Sequence, residues 1–237
     1  MPVIDCNTLL GFWPGSAART LTPEALLESM RARGVGRSLV WHTAAVCYSA
    51  SVGNSLAVEA ARAHPELLPV AVIDPRDYPG CQAEITTRLG EGVRVFRFCP
   101  AEHGYPFSAQ YAPLAVALGA LDEARLVCVH LGLATPLGAD IAPLLVRPTV
   151  FTLPASRLGE IVALAQQSPA VHVEVSGLLV GGAIEAAVQH LGAPRVLFGS
   201  ASPLMALGSA ITAVQYAEIS DADRAALLEG NAARLLG

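Results

Sequence analysis

Three polar residues in apolar segments are the strongest candidates for chemistry in this sequence. Asn7 lies in the first apolar segment, Arg97 lies in the fourth, and His130 ends the fifth. His130 is a candidate general acid or base because the ordinary pKa of imidazole is close to neutral. Arg97 can orient a substrate carboxylate through paired hydrogen bonds, and Asn7 can donate a hydrogen bond to a reacting oxygen. These residue types predict a site for a small carboxylated compound.

Further side chains extend this predicted site, and each has a structural alternative. His42 and Trp13 are predicted to line the pocket, but a histidine beside an aromatic residue also serves in packing, and Trp13 can equally anchor a lid. Glu174 is a substrate-binding candidate because a glutamate inside a barrel must be paired or catalytic. An ion pair between Arg97 and Glu174 would give both a structural role, and His130 can equally be a hydrogen-bonded structural residue.

The elements that must position these residues alternate between apolar and helical segments, which is typical of a parallel α/β fold. The predicted strands are Val3 to Pro14 (with its turn), Ser38 to His42, Leu67 to Ile73, Val93 to Phe98, Leu126 to His130, Thr149 to Leu153, Val171 to Ser176 and Val196 to Phe198. The predicted helices are Thr22 to Gly34, Asn54 to His64, Gln82 to Leu89, Tyr111 to Ala120, Ile141 to Leu145, Leu158 to Gln167, Ile184 to Leu191, one after Pro203 and one capped by Ser220.

Eight strand–helix units predict a single (β/α)8 TIM barrel over residues 1–237, with an extra C-terminal helix. The alternative is an open doubly wound sheet, but no G-x-G-x-x-G follows the first strand. Because side chains alternate along a strand, Asp5, Asn7 and Leu9 are predicted to share one face of the first strand. In a parallel barrel, that face leads to the catalytic end of the strands.

Composition excludes several classes of function. The 237 residues carry a net charge of −5, which gives no basic surface for nucleic acid. All 15 basic residues are arginine, so Schiff-base, P-loop and carbamylated lysines are excluded. The five cysteines show no C-x-x-C spacing and are predicted to be reduced. The uncharged run from Val196 to Ala217 contains glycine, serine and proline, and does not suit a membrane span.

The first residues lack a basic segment followed by a long apolar one, so no secretory signal is predicted and a cytoplasmic location is expected. The expected partner is a small-molecule substrate or ligand, with no nucleic acid and no membrane. The apolar composition makes a homo-oligomer plausible, although composition does not locate an interface.

Almost the whole chain resembles the amidohydrolase-related family, the amidohydrolase-2 type of TIM-barrel metal-dependent hydrolases. The resemblance rests on motifs that occur in the order VIDCN, GFWP, GNSLAVEAARAHPELLPVAVIDP, GVRVFRFCPAEHGY, LVCVHLG, VEVSG, RVLFGSASP and GNAARLLG. It implies a TIM barrel and hydrolytic chemistry on a small molecule. His103 and Tyr105, in the HGY turn, resemble residues near the active-site rim of the family, with turn packing as the alternative role.

The resemblance also implies where metal ligands would lie. Family members hold an ion through His-x-His on strand one, histidines on strands five and six, and an aspartate after strand eight. His130 matches the strand-five ligand, but Asn7 and Leu9 replace the histidine pair, strand six ends without histidine, and Ala201 replaces the aspartate. One imidazole cannot hold a catalytic ion, which usually needs about three protein ligands. We therefore expect no metal and no other cofactor at this position.

Two functions remain open. The first is a metal-independent hydrolase or lyase of a small carboxylated or lactone-like substrate, in which His130 moves a proton, Arg97 orients the carboxylate, and Asn7 with Ser200 binds the reacting oxygen. The second is a catalytically inactive barrel that serves as a ligand-binding or interaction module. A third idea is an alternative metal site built from His103, His130 and Glu174.

Overall fold

The computed structural model of the chain describes residues 2–14 and 16–237. Its strands form one nine-stranded sheet in the order β2-β1-β3-β4-β5-β6-β7-β8-β9, in which only the β1–β2 pair is antiparallel. The strands are β1 (Val3–Trp13), β2 (Ser16–Leu21), β3 (Val35–His42), β4 (Leu67–Ile73), β5 (Val95–Phe98), β6 (Leu126–His130), β7 (Thr149–Thr152), β8 (Val171–Glu174) and β9 (Val196–Leu197).

Helices follow the parallel strands. They are α1 (Pro23–Ala32), α2 (Ala44–Cys47), α3 (Ala50–Ala63), α4 (Tyr78–Gly90), α5 (Pro100–His103), α6 (Ala112–Gly119), α7 (Leu158–Ala165), α8 (Ala183–Leu191), α9 (Leu207–Tyr216), α10 (Asp221–Ala225) and α11 (Asn231–Leu236). Short 3₁₀ segments are Ala139–Leu144, Ala155–Arg157, Val175–Gly177 and Ala193–Arg195, and a π turn, Ala226–Gly230, joins the last two helices. The first helix begins where predicted, since Thr22 accepts a hydrogen bond from the Ala25 N–H at 3.3 Å.

The curled sheet closes on itself through the residues that follow β9. The Cys6 N–H donates to the Phe198 carbonyl at 2.9 Å, and the Leu9 N–H donates to the Ser202 carbonyl at 2.8 Å. In the reverse direction, the Ala201 N–H donates to the Asn7 carbonyl at 2.8 Å. These bonds join the first and last parallel strands into a barrel and place residues 199–202 directly beside the middle of β1.

Two apolar layers surround the parallel strands. The outer layer packs the strands against the helices and includes Leu26, Phe96 and Phe151. The inner layer fills the barrel with side chains such as Leu39, Val72 and Cys128. Ala232 and Leu236 of α11 belong to this inner layer, so the C-terminal helix covers the end of the barrel where the strands begin. The opposite end, where the strands finish, carries the polar residues predicted to do chemistry.

The predicted TIM-barrel class is confirmed, and three local features differ from the sequence predictions. The hairpin strand β2 was not predicted, and the segment predicted as the helix Ile141 to Leu145 is a 3₁₀ segment containing Pro143. The strict alternation predicted for β1 is also wrong. A register shift between Asp5 and Thr8 interrupts the pairing with β3, and Cys6 and Leu9, three residues apart, both pack in the inner layer.

Within the described residues, no helix is both long enough and apolar enough to cross a bilayer.

Candidate active site

Asn7 is the centre of a buried hydrogen-bond network that connects four strands. Its Nδ2 donates to Glu174 Oε1 at 3.1 Å, and its Oδ1 accepts from Trp41 Nε1 and from Arg97 Nη1, each at 3.3 Å. Asn7 is 2% exposed. Since both ends of its amide are occupied, Asn7 positions its neighbours on β3, β5 and β8 and has little capacity left for a substrate.

Glu174 is held at the end of β8 by its own turn as well as by Asn7. Its carboxylate accepts from the Ser176 N–H at 2.7 Å and from Ser176 Oγ at 2.5 Å. Gly199 lies against it so closely that a Cβ at this position would be 2.1 Å from Glu174 Oε2. The buried glutamate is therefore satisfied by hydrogen bonds from Asn7 and Ser176.

Arg97 is fully buried but lacks the partner that the sequence suggested. Its guanidinium lies 4.8 Å from the centroid of the Trp41 ring, which is a cation–π geometry. Arg97 and Glu174 both bind Asn7 and do not pair directly. Among the described residues, Arg97 makes no ion pair with a carboxylate, and its Nε has no hydrogen-bond partner.

The surroundings of Arg97 leave its charge uncompensated at contact distance. The neighbouring thiols are neutral, because burial raises the pKa of Cys99 to about 12 and that of Cys128 to about 11. Glu102 also acts on Arg97 electrostatically, but it lies beyond contact distance. The barrel centre therefore holds a buried guanidinium that no carboxylate of the described residues contacts directly.

His130 forms a pair with Glu102 at the same end of the barrel. Its Nδ1 lies 2.5 Å from Glu102 Oε1, and the two side chains remain 30% and 20% exposed. Burial raises the pKa of Glu102, but the hydrogen bond from His130 and the attraction to His130 and Arg97 together outweigh burial and hold that pKa below its ordinary value. With Nδ1 bound to the carboxylate, Nε2 is the imidazole atom left for proton exchange.

His103 and Tyr105 lie apart from this pair and pack in the loop after β5. His103 Nδ1 is 3.6 Å from Asp74 Oδ1, and burial lowers the pKa of His103 below its ordinary value. Tyr105 stacks on Tyr111 with ring centroids 5.5 Å apart. Arg76 ties this group together by donating to the His103 carbonyl at 3.0 Å. These contacts fit the turn-packing role.

His42 and Trp13 occupy different environments. The side chain of His42 lies outside the barrel, in a groove between β2 and α3 that it shares with Leu21 and Glu59. Its Nδ1 accepts from the Ala44 N–H at 3.1 Å. Trp13 packs edge to face on Trp41 with centroids 6.5 Å apart. Trp13 therefore covers the Asn7 network, and His42 does not line it.

Ser200 contributes to barrel closure. Its backbone N–H donates to Asp5 Oδ1 at 3.0 Å, and its Oγ accepts from the Ser202 N–H at 3.0 Å. Asp5 is wholly buried, and burial raises its pKa to about 7. The second carboxyl oxygen of Asp5, Oδ2, has no hydrogen-bond partner.

The donor set at the barrel centre does not fit a divalent metal ion. Among the described residues, no group of three or more His, Cys, Asp or Glu side chains is arranged to hold one. The Glu174 carboxylate is already bound by Asn7 and Ser176, and the cation of Arg97 would repel a second cation in the same buried space.

The alternative metal site predicted from His103, His130 and Glu174 is wrong. His130 is bound to Glu102, and His103 lies beside Asp74. Glu174 belongs to the Asn7 network instead. The three side chains form no group that could hold an ion in the part of the chain that the structure describes.

Sequence reasoning missed three participants in the site, namely Glu102, Trp41 and Ser176. Glu102 lies four residues after the fourth predicted strand, in the segment that follows the end of that strand. That position was a usable signal, because residues after the ends of parallel barrel strands meet at one face. The pairing of Glu102 with His130 depends on where the residues after β5 place the Glu102 side chain, which strand periodicity does not give.

Comparison with known proteins agrees with the barrel fold. Residues 123–237 match the family described as Amidohydrolase (Amidohydro_2). No curated protein matches the chain. Similar solved structures include a 2,6-dihydroxybenzoate decarboxylase from Rhizobium, with a TM-score of 0.73 and 16% identity over 99% of this chain and 98% of that one.

A putative 2-pyrone-4,6-dicarboxylic acid hydrolase from Pseudomonas putida is similar as well, with a TM-score of 0.72 and 21% identity over 100% of this chain and 97% of that one. A 5-carboxyvanillate decarboxylase from Sphingomonas paucimobilis has a TM-score of 0.73 and 14% identity over 99% and 98% of the two chains. At these identities the likeness concerns the fold, which is that of an α/β-barrel protein. The sequence match is confined to residues 123–237, and that part of the chain is similar to the amidohydrolase family.

Proposed function

We propose that this protein is a hydrolase or lyase that acts, without a metal ion, on a small carboxylated or lactone-like compound. The observation that carries the proposal is the buried Arg97 guanidinium, which has no carboxylate partner among the described residues. A buried charge without a partner is costly, and a substrate carboxylate would compensate it through paired hydrogen bonds. Arg97 therefore defines the anionic end of the substrate.

The pair of His130 and Glu102 supports the proton-transfer step. Glu102 fixes the orientation of the imidazole through Nδ1, so Nε2 can take a proton from a water molecule or give one to a leaving group. The Glu102 carboxylate also stabilises the imidazolium of His130 that forms when Nε2 accepts that proton. Asn7 acts as a positioning residue for Arg97, and Ser200 acts in barrel closure. This assignment revises the oxygen-binding role expected for both.

The comparisons support a carboxylated substrate. Two of the similar structures are named for the decarboxylation of 2,6-dihydroxybenzoate and 5-carboxyvanillate, and a third is named for the hydrolysis of a pyrone dicarboxylic acid. Each name describes a compound with at least one carboxylate. A barrel that retains the fold and presents Arg97 beneath the site face suits the same class of compound.

A second candidate function is a ligand-binding barrel without catalysis. It is favoured by the hydrogen bonds that Asn7, Glu174 and Ser176 make to one another. All three side chains are almost fully buried, so they have little capacity to bind a substrate. In that case Arg97 would still bind a carboxylate. His130 and Glu102 would then stabilise the rim without transferring a proton.

The two candidates separate in a turnover assay on protein treated with a chelator. The panel contains 2,6-dihydroxybenzoate, 5-carboxyvanillate and 2-pyrone-4,6-dicarboxylate, with product detected by absorbance and mass spectrometry. We expect turnover of at least one compound and a loss of about 10² to 10⁴ in kcat for His130→Ala and for Glu102→Gln. The control is His190→Ala, which alters an exposed histidine on α8.

Saturable binding of these compounds without turnover would favour the ligand-binding barrel. Turnover that survives His130→Ala would contradict the assigned proton transfer. Activity that appears only after manganese or zinc is added would contradict the metal-independent mechanism.

The remaining expectations belong to the same proposal. They are a single domain over residues 1–237, a cytoplasmic location, a small molecule as partner in place of nucleic acid or membrane, and homo-oligomerisation. Size-exclusion chromatography with light scattering tests the last of these.

A further inference from the structure

A cleft at the end of the barrel opposite the candidate active site combines basic and apolar side chains. It has a volume of about 440 Å³, within the usual range for small-molecule sites. Its basic residues are His172, Arg195 and Arg234. The lining contains no aspartate or glutamate, so its charge is of one sign.

The cleft is built from the residues that lead into three consecutive strands. Pro148 immediately precedes β7, Pro169 lies just before β8, and Pro194 lies just before β9. Leu235 of α11 adds an apolar side chain to these prolines. Because the prolines restrict their own backbone, the walls of the cleft are held by stiff segments at a fixed end of the barrel.

The two arginines are oriented by backbone carbonyls and keep donors free. Arg195 Nη1 donates to the Ala165 carbonyl at 3.1 Å, and Arg234 Nη2 donates to the Pro194 carbonyl at 2.9 Å. In the described part of the chain, neither arginine forms an ion pair with a carboxylate. Each guanidinium has five N–H donors, so most of them remain for a ligand.

His172 completes the basic side of the cleft. It is 6% exposed, and its Nδ1 lies 2.7 Å from the Ala170 carbonyl. Nδ1 must therefore carry the proton, and Nε2 is the imidazole atom left for the cleft. Both arginines act electrostatically on this histidine, which places the three basic groups within mutual range.

We propose that this cleft binds a small organic anion that carries a phosphate or carboxylate on an apolar body. Arg195 and Arg234 bind the oxyanion, and the prolines with Leu235 contact the apolar part. The site lies where the strands begin and is separate from the candidate active site, where the strands end. The cleft proposal therefore does not depend on the proposed catalysis.

Isothermal titration of the full chain with phenyl phosphate, benzoate and inorganic phosphate tests this site. We expect the cleft to bind one molecule of phenyl phosphate or of benzoate saturably. Inorganic phosphate should bind more weakly because it has no apolar body. The double variant Arg195→Gln/Arg234→Gln should lower the affinity at least tenfold. The matched control Arg31→Gln/Arg62→Gln removes the same charge from other surfaces and should leave the affinity unchanged.

Benzoate also probes the active site, so each titration is repeated with Arg97→Gln. Binding that is lost in Arg97→Gln but kept in the cleft variant would assign the anion to the barrel centre and overturn the cleft proposal. An equal loss in the control variant would show non-specific attraction and overturn it as well. If the double variant does not fold, Arg234→Gln alone carries the test, since Arg234 is exposed. An unchanged affinity in that variant would then contradict the proposal.

Discussion

Asp5 Oδ1 accepts a hydrogen bond from the Ser200 N–H at 3.0 Å, so a buried carboxyl group joins the first parallel strand to the segment after the last one. The same oxygen accepts from the Asn7 N–H at 3.0 Å. The Asp5 carboxyl, which closes the barrel, therefore also binds the backbone of Asn7, the centre of the candidate site.

This carboxyl should make stability depend on pH. Burial raises the pKa of Asp5 from 3.8 to about 7, so the folded protein binds a proton that the unfolded chain releases. The contribution of Asp5 to the free energy of unfolding is therefore greatest below its unfolded pKa of 3.8. It declines as pH rises through the folded pKa of about 7. By pH 8 the ionised carboxyl costs up to about 4 kcal/mol.

Asp5→Asn should remove this dependence, because the amide is neutral at every pH and Oδ1 can still accept both N–H groups. Urea unfolding at pH 5, 6, 7 and 8 measures the difference between wild type and variant. We expect the variant to gain stability relative to wild type as pH rises. Equal pH slopes for the two proteins would contradict the burial effect. The control is Asp221→Asn, at an exposed carboxylate.

Gly199→Ala should destabilise the barrel. The new Cβ would lie 2.1 Å from Glu174 Oε2, so the hydrogen-bonded carboxylate would have to move. We expect a loss of about 1–3 kcal/mol. In Gly159→Ala, which has open space around the new Cβ, stability should stay level or rise by about 0.4–1 kcal/mol. A similar effect of the two substitutions on the urea midpoint would show that Gly199 is not tightly packed.

The contact between Asn7 and Glu174 should appear as a coupling energy. Asn7→Leu removes the amide that donates to Glu174 and accepts from Arg97 and Trp41, and should cost about 3 kcal/mol. A double-mutant cycle with Glu174→Gln should give a coupling of about 0.5–3 kcal/mol. Strict additivity of the two substitutions would mean that the amide and carboxylate contribute independently.

Arg88 should matter far more than an exposed arginine nearby. It is 3% exposed and lies 2.6 Å from both Glu84 and Glu91. Arg88→Met leaves Glu84 bound to the Asn54 amide and Glu91 bound to Arg62 at 3.8 Å, and should cost about 3–5 kcal/mol. Arg62→Met breaks a pair of 3.8 Å on an exposed side chain and should cost under about 1 kcal/mol. Thermal or urea unfolding of the two variants compares them directly.

The periodic parts of the fold were accessible from the sequence because each parallel strand is a short apolar run. Leu67–Ile73 and Leu126–His130 have the predicted bounds. The hairpin strand β2 was missed because SAARTL has no apolar alternation and pairs only with the end of β1. The shift after Asp5 was missed because a bulge depends on how neighbouring strands meet, and one strand alone does not specify it.

Part of the candidate site could also be predicted from the sequence, because its polar residues stand out within apolar strands. Asn7, Arg97 and Glu174 were found because each is a polar residue within an apolar strand, and the structure brings them together through two hydrogen bonds. His42 was assigned to the same site from its strand-end position, but its side chain points away from the barrel interior. The hydrogen bond between His130 and Glu102 was not predicted, because strand periodicity does not give the position of the Glu102 side chain after β5.

Barrel closure also affects how the chain matures on the ribosome. Asp5 and Ser200 are 195 positions apart, so β1 emerges long before the segment that completes the ring. Until those residues are made, β1 lacks the hydrogen-bond partners that follow β9, and the ring cannot close. A translation product that stalls before residue 198 would expose its unpaired strand edges. Proteases and chaperones can therefore distinguish unfinished chains from completed ones.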